Sequence, residues 1–548
     1  MKRAFLIIWN CDRKALLIKL FYTACNSLLP LVNLYVLKVI VDVVTEAVTH
    51  GVENPSGWLV SEVMPAILLF SGITLLNRLI KVFGTVNNDV LTQKLIDYIN
   101  KLIQDQSSLL DMAYYDNPEY HDTFHRAQQE AAFRPVRILE NMMSVFSSVI
   151  SLAGVAAMLF VASWQVIAIM IVAVVPAFIV KLYKSRKIYQ FRRETTQLSR
   201  RSNYYGMLLT NRIYAKEVRS FGLADYFRSR YVEIRGRLVE RLLHISRRLA
   251  LLDALTALIE AAALVAVLIL LVRPLFTGVM TIGSFVMLFE AFRRGQSYLT
   301  SLVEGIGGLY EHKLFINNLF DFLELKPSIL SPAKPVAFPA KVDEVFFDNI
   351  TFSYPDMNHP TIKNFSLKAK RGEVTYLEGE NGFGKTTLLK LLLRLYDPQG
   401  GAVRINGIDI REFDVDELRR NISAVFQDYV QYHLTLRENI VLGDINNADD
   451  ARRLAEAIRL ADAERVVAKL DKGLDAQLGR QFNGGEELSM GQWQRVALAR
   501  QLYSPADILI FDEPTAWMDA EACRHFMQSL EELRNGRIIL LVRHKERI

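Results

Sequence analysis

Cysteine is scarce. The 548 residues hold three, Cys11, Cys25 and Cys523. They lie far apart, with no C-x-x-C pair and no histidine beside them, so neither a disulfide framework nor a zinc site is expected. A dominant charge is also lacking: 65 Lys and Arg against 59 Asp and Glu leave a net +6. What basic density exists is local, so nucleic acid is not expected as a partner. The N-terminal "MKRAFLIIWNCDRK" has basic residues and a short apolar patch, but no small-residue cleavage site comes after it. It reads as a lead-in to a membrane helix, not as a removed signal. No stretch of the chain is duplicated internally.

Long apolar runs are abundant. The chain is 51% hydrophobic with a mean hydropathy of +0.15, unusual for a soluble protein. The runs fill the sequence before about residue 325, and the remainder of the chain has ordinary globular composition. Six segments reach the roughly 20 apolar residues a membrane helix needs: about 15–45, 59–85, 137–163, 164–185, 249–273 and 279–303. The segment from Gln165 continues as helical, charged sequence to about Thr210, so long helical projections into water are expected at about 86–136 and 186–248. The second is dense in Lys and Arg, from Lys181 to Arg241. Because positive residues stay on the cytoplasmic side, the projections and both termini are placed in the cytoplasm. Charged residues inside the spans, Asp253, Glu260, Glu290, Arg293, Arg294 and Glu304, either line a polar cavity or form structural ion pairs.

"LKPSILSPAKPVAFPAK" carries Pro327, Pro332, Pro335 and Pro339. Repeated proline stops a helix and favours an extended tether. The domains are therefore drawn as a membrane part at 1–325, a Pro-rich linker at 326–341 and a soluble α/β part at 342–548.

The soluble part opens with alternating, strand-like sequence, then "GENGFGKTT". Gly379, Gly384, Lys385 and Thr386 fit the P-loop pattern, with an apolar strand before them and the helix "TTLLKLLLRLY" after. In such a loop, backbone N–H groups wrap phosphates, the helix N-terminus adds positive character, the lysine reaches the β- and γ-phosphates and the hydroxyl takes a Mg²⁺ position. The whole loop, Gly379, Glu380, Asn381, Gly382, Phe383, Gly384, Lys385, Thr386 and Thr387, is the expected nucleotide cradle. Downstream, "ADILIFDEP" is an apolar strand ending in Asp512 and Glu513. Asp512 suits Mg²⁺, and Glu513 suits a general base for the attacking water.

These motifs, six spans with long projections, and the stretches "AYYDNPEYHDTFHRA" and "YAKEVRSFGLADYF" resemble the ABC exporters over nearly the whole chain. The implied fold is a six-helix, all-α transmembrane domain followed by an α/β P-loop nucleotide-binding domain. The two stretches resemble that family's intracellular loops, and the first is similar to bacterial peptide and lantibiotic exporters. Residue by residue, the resemblance implies that Tyr354 stacks on adenine, that Gln427 contacts Mg²⁺ and water, that Asp519 is the D-loop aspartate and that His544 contacts the γ-phosphate. Lys385, Gln427, Glu513 and His544 are the expected catalytic set; Thr386, Gln427 and Asp512 the expected metal set. The signature is "LSMGQ": Ser489, Met490, Gly491 and Gln492. Met490 stands where a glycine is usual, and Trp517 and Met518 replace the usual residues before Asp519. Retained Ser489 and Gly491 point to an active site that tolerates Met490, on the reading that this position needs neither positive φ nor close backbone approach.

The resemblance further implies ATP with Mg²⁺, a multi-pass place in the cytoplasmic membrane, and a second half-transporter subunit, since one chain supplies one P-loop and one signature. A homodimer is the simpler arrangement and a heterodimer the alternative. The expected activity is ATP-driven export of a peptide or amphipathic small molecule by alternating access. A lipid flippase or importer on the same scaffold, or an ATP-gated regulator that does not pump, are the alternatives. Membrane helices begin almost at once, so no fused leader-cleaving peptidase is expected.

Overall fold

The computed structural model describes residues 2–50, 58–117, 124, 133–162, 164–355, 357, 359–379 and 382–543. The chain divides into two compact units, one of Met1–Ser107 with Thr123–Glu324, the other of Ser108–Asp122 with Leu325–Ile548.

The first unit is helical: α1 (Lys2–Cys11), α2 (Arg13–His50), a π-helical turn (Leu59–Val63) leading into α3 (Met64–Leu109), then α5 (Arg134–Ala162), α6 (Trp164–Glu194), α7 (Thr196–Thr210), α8 (Arg212–Ser220), α9 (Ala224–Phe276) and α10 (Ile282–Leu323). A short α4 (Met112–Asp116) belongs to the second unit. Apolar side chains of five helices share one core: Leu31 and Leu34 of α2, Val155 and Leu159 of α5, Met170 and Ala173 of α6, Val267 and Leu271 of α9, and Leu288 and Phe292 of α10. Among the described residues five helical stretches, Arg13–Thr49, Leu59–Leu109, Arg134–Phe160, Trp164–Glu194 and Ala224–Phe276, are long and apolar enough to cross a membrane. The sixth expected span lies in α10, which is long enough but carries Glu290, Arg293 and Arg294 within its apolar first half. Glu290 holds Arg293 by two hydrogen bonds of 2.9 Å, Arg294 donates to the Pro30 carbonyl at 3.2 Å, Asp253 pairs with Lys184 at 2.6 Å and Glu304 with Lys181 at 2.9 Å. Glu290, Arg293, Asp253 and Glu304 are thus ion-paired locally, and Arg294 is hydrogen-bonded.

One expectation is corrected. The helix expected to run unbroken from Gln165 to about Thr210 is interrupted at Thr195, where φ −96 and ψ 3 leave the α-helical region. The Thr195 hydroxyl donates back to the Phe191 carbonyl at 2.7 Å, a bond that competes with the regular ladder.

The second unit contains two sheets. An antiparallel one has the order β2 (Ile362–Lys370), β1 (Glu344–Phe352), β4 (Gly400–Ile405), β5 (Ile408–Asp409). A parallel one has the order β3 (Val374–Glu378), β8 (Ile538–Arg543), β7 (Ile508–Asp512), β6 (Ile422–Val425). All five residues of β7 are buried, which explains its unbroken apolar sequence. The remaining helices are α11 (Lys385–Leu392), α12 (Val415–Arg420), α13 (Leu436–Val441), α14 (Ala451–Leu460), α15 (Glu464–Val467), α16 (Met490–Tyr503) and α17 (Ala520–Leu533). Leu389 and Leu392 of α11 pack with Ile510 and Leu540 on one side of the parallel sheet; Trp493 and Val496 of α16 pack with Leu509 and Phe511 on the other.

Candidate active site

Parallel strands deliver the loops at their C-terminal ends to one edge of the sheet, the usual place for chemistry in α/β folds. Here that edge collects the loop after β3, Gln427 after β6, and Asp512 and Glu513 at the end of β7. Thr361, Gly382, Gly384, Lys385, Thr386, Thr387, Gln427 and Glu513 line a cavity there of about 390 Å³.

The loop's last glycine is required twice over. Gly384 has φ +83, and a Cβ on it would lie 2.9 Å from Ile362 Cγ1 and 3.2 Å from the Thr361 carbonyl oxygen. It caps α11, whose first N–H groups have no intrahelical partner and so suit an anion. Lys385 is 8% exposed, and its Nζ donates to the Gly379 carbonyl at 2.6 Å. The Thr386 hydroxyl donates to Asp512 Oδ2 at 2.8 Å. Burial pushes the Asp512 carboxyl above its ordinary value, against the Thr386 hydrogen bond, and the nearby Glu513 and Asp428 push the same way. A buried carboxylate among like charges favours a cation. The Thr386 hydroxyl, the Gln427 amide oxygen and the Asp512 carboxylate are hard oxygen donors of the kind Mg²⁺ takes beside phosphates, so the residues present fit that ion.

Gln427 Nε2 donates to Glu513 Oε2 at 2.8 Å. Glu513 has φ +52, a left-handed conformation uncommon for a residue with a side chain, and its N–H donates to the Val542 carbonyl at 3.2 Å. Tyr354 hydrogen-bonds Thr387 Oγ1 at 3.1 Å through its hydroxyl. Its ring meets Phe352 and Tyr396 edge-on, centroids 5.1 and 5.3 Å away.

The "LSMGQ" segment is built as a helix start. Ser489 caps α16 in a reciprocal capping box with Gln492: the Ser489 N–H donates to Gln492 Oε1 at 2.8 Å and the Gln492 N–H to Ser489 Oγ at 3.4 Å. Met490 is the first helical residue and 45% exposed. It is not among the residues with positive φ. Its carbonyl accepts from the Tyr429 hydroxyl at 2.9 Å, and its sulfur from Gln431 Nε2 at 3.5 Å. Gly491 differs: a Cβ there would lie 2.8 Å from the Trp517 carbonyl oxygen. Asp519 caps α17 by accepting the Ala522 N–H at 2.8 Å, which holds its carboxyl below the usual range.

Lys385, Thr386, Thr387, Gln427 and Glu513 therefore line one cavity. Among the described residues, none of Ser489, Met490, Gly491 and Gln492 lines their cavity. Glu380, Asn381 and His544 lie outside the described residues. Sequence reasoning overlooked three contributors. Thr361 walls the cavity, Asp428 adds negative charge, and buried Gln494 donates to the Pro514 carbonyl while accepting the Trp517 N–H at 3.2 Å. Two glutamines a heptad apart, Gln494 and Gln501, among the apolar residues of α16 were the one available signal for Gln494.

Residues 16–295 match the family described as ABC transporter transmembrane region, and residues 362–516 the one described as ABC transporter. The chain is 27% identical to the subtilin transport ATP-binding protein of Bacillus subtilis, over 100% of this chain and 87% of that one. It is 24% identical to the nisin transport ATP-binding protein of Lactococcus lactis subsp. lactis, over 98% and 88%. An ATP-dependent lipid A-core flippase of Syntrophus aciditrophicus is 31% identical over 56% of this chain and 50% of its own. The fold matches a solved bacterial Atm1-family ABC exporter with ATP bound, with TM-score 0.78 and 21% identity, covering 98% of this chain and 91% of the other.

Proposed function

The chain belongs to the ABC transporters, with an ABC ATPase fused to a membrane domain, and from this we propose that it is a half-transporter that exports a peptide across the cytoplasmic membrane, its nucleotide-binding unit in the cytoplasm. The observation that carries the cargo reading is similarity along the whole chain to two proteins named for transport of the peptides subtilin and nisin. Similarity to lipid A-core flippases reaches 87% of the chain, at 25% identity, in one of Vibrio vulnificus, short of the 98–100% covered by the two peptide transporters, so lipid is the second reading.

The active unit is a dimer, a homodimer in the simplest case. Ser489 to Gln492 stand outside the P-loop cavity, which suits a site completed by the signature of a second subunit. Tyr354 holds the adenine. Lys385 leaves the Gly379 carbonyl to meet the β- and γ-phosphates, and the N–H groups of the loop and of α11 wrap them. Thr386, Gln427 and Asp512 would hold Mg²⁺, which when bound neutralises charge developing on the transferred phosphoryl group. Glu513 takes a proton from the attacking water. Gln427 orients Glu513 through their hydrogen bond, and His544 and Asp519 act at the γ-phosphate and at the subunit junction. ATP binding joins the two nucleotide-binding domains and hydrolysis separates them, which shifts the membrane domain between two states.

The test is uptake of radiolabelled peptides and, in parallel, fluorescent lipids into inside-out vesicles, with E513Q as control. ATP-dependent peptide accumulation lost in E513Q is the expected result. Accumulation of lipid alone would move the chain to the flippases, and flux without ATP turnover would make it a channel or regulator.

A further inference from the structure

A cavity of about 560 Å³ lies between α6 and α9 in the helical unit, within the size range of ligand sites. Its position along the helices is set by geometry. Tyr183 lies 19 residues beyond Trp164, the first residue of α6. At ~1.5 Å per residue that is roughly 28 Å, close to the ~30 Å thickness of the hydrocarbon layer. The cavity therefore sits where the apolar layer gives way to head groups.

Its walls are divided. Leu249, Leu252 and Phe191 supply an apolar side, Tyr183 an amphipathic rim, and Lys187 and Arg248 two cations. Three other cations on the same helix are committed to carboxylates: Lys181 to Glu304, Lys184 to Asp253 and Arg192 to Glu311. Among the described residues neither Lys187 nor Arg248 has an ion pair. Lys187 lies over the Tyr183 ring, 5.8 Å from its centroid. The acid on the wall, Glu194, ends α6 seven residues past Lys187, roughly 10 Å further from the hydrocarbon. His244 stands on the same outward side, eight residues before Leu252 on α9.

We propose that this cavity binds the phosphate-bearing head group of an anionic phospholipid, from the leaflet beside the charged helical extensions. Lys187 and Arg248 meet the phosphate, and Leu249, Leu252 and Phe191 take the first methylenes of the acyl chains. A lysine or arginine at an anionic membrane surface snorkels its charge to the phosphates while its stem stays on apolar surface.

The experiment uses the full chain in nanodiscs of phosphatidylcholine with 0 to about 40% phosphatidylglycerol. Retained lipid is read by native mass spectrometry, and ATPase rate is measured in parallel. Wild type is expected to retain phosphatidylglycerol over phosphatidylcholine, and K187Q/R248Q to lose that preference by roughly fivefold for each cation removed. The charge-preserving K187R/R248K should keep it. R186Q/R193Q removes the same charge from the same helix outside the cavity and should also keep it. L252W, which fills the apolar side without touching charge, should lower retention and guards against misfolding as the cause. Equal loss in R186Q/R193Q and K187Q/R248Q would reduce the effect to general surface charge and overturn the site. So would competition by millimolar inorganic phosphate, which would make it a site for the free anion. Unchanged retention in K187Q/R248Q and L252W would overturn it as well. ATP-dependent peptide uptake measured on the same discs' protein reports on the export reading separately.

Discussion

The side-chain amide of Gln427 donates to the carboxylate of Glu513 at 2.8 Å, and Glu513 itself sits at φ +52. A left-handed, non-glycine residue costs of order 1–3 kcal/mol and persists only where its surroundings hold it. Here the Val542 carbonyl holds the backbone and Gln427 the side chain. The strained position aims one carboxylate at the mouth of the phosphate loop.

E513Q should retain nucleotide binding and lose hydrolysis by roughly 10²- to 10⁴-fold, the usual contribution of a positioned base. Steady-state ATPase with a fluorescent-nucleotide titration checks both halves. E513G would relieve the φ strain but remove the base. It should therefore be as inactive as E513Q while melting no lower. A hydrolysing E513Q would transfer the base role elsewhere.

Adjacent letters of the signature should respond oppositely. G491A places a Cβ 2.8 Å from the Trp517 carbonyl oxygen, so it must push the segment before Asp519 outward. ATPase should fall by at least tenfold, with a smaller change in melting temperature. M490G touches neither a positive φ nor a close backbone approach. It should leave ATPase within a few-fold of wild type and lower stability by up to about 1 kcal/mol, the cost of glycine in a helix. A rise in turnover of orders of magnitude in M490G would show the methionine to be an obstruction.

Much of the site was legible because its chemistry is local. P-loop, strand and succeeding helix occur in one contiguous stretch, and Asp512 and Glu513 come after an apolar strand that can only be buried. Apolar length alone marked all six expected spans, 279–303 in α10 included, although Glu290, Arg293 and Arg294 dilute it there. What sequence could not show is what neighbours do. The break at Thr195, where φ −96 and ψ 3 interrupt the run after α6, is hidden by a continuous helical pattern. Trp517 replaces one of the usual residues before Asp519, yet its carbonyl and N–H serve as the contacts of Gly491 and Gln494, for which side-chain identity matters little.

Gln494 should behave as a positioning residue. Q494L keeps the volume but leaves the Trp517 N–H and the Pro514 carbonyl without their partner in a buried place. Each unmade bond costs about 1–3 kcal/mol, and a domain of this size loses roughly 2–4 °C per kcal/mol. Melting should drop by several degrees and kcat should fall, while KM for ATP stays near wild type because Gln494 touches none of the P-loop. A KM effect alone would contradict this placement.

The Tyr396 hydroxyl donates to the carboxylate of Asp116, at the end of α4. Asp111 of the same stretch accepts from Ser328 Oγ at 2.6 Å, and the Tyr114 hydroxyl donates to the Lys326 carbonyl at 2.9 Å. α4 is thus tied to its own unit by polar bonds. Burial, then the neighbouring carboxylate, pushes the Tyr396 phenol well above its ordinary value of 10.0. The folded state therefore favours the protonated phenol. That stability is fully present below the unfolded value, about pH 10, and is lost as pH rises from there toward the raised folded value. Wild type should lose thermal stability between about pH 9 and 11 more steeply than Y396F, which has no proton to lose at this site. At pH 7 Y396F should melt lower, because Asp116 then lacks its donor. Melting curves of both proteins across that range check the sign. Parallel pH profiles would mean that the Tyr396–Asp116 bond contributes nothing to holding α4 in place.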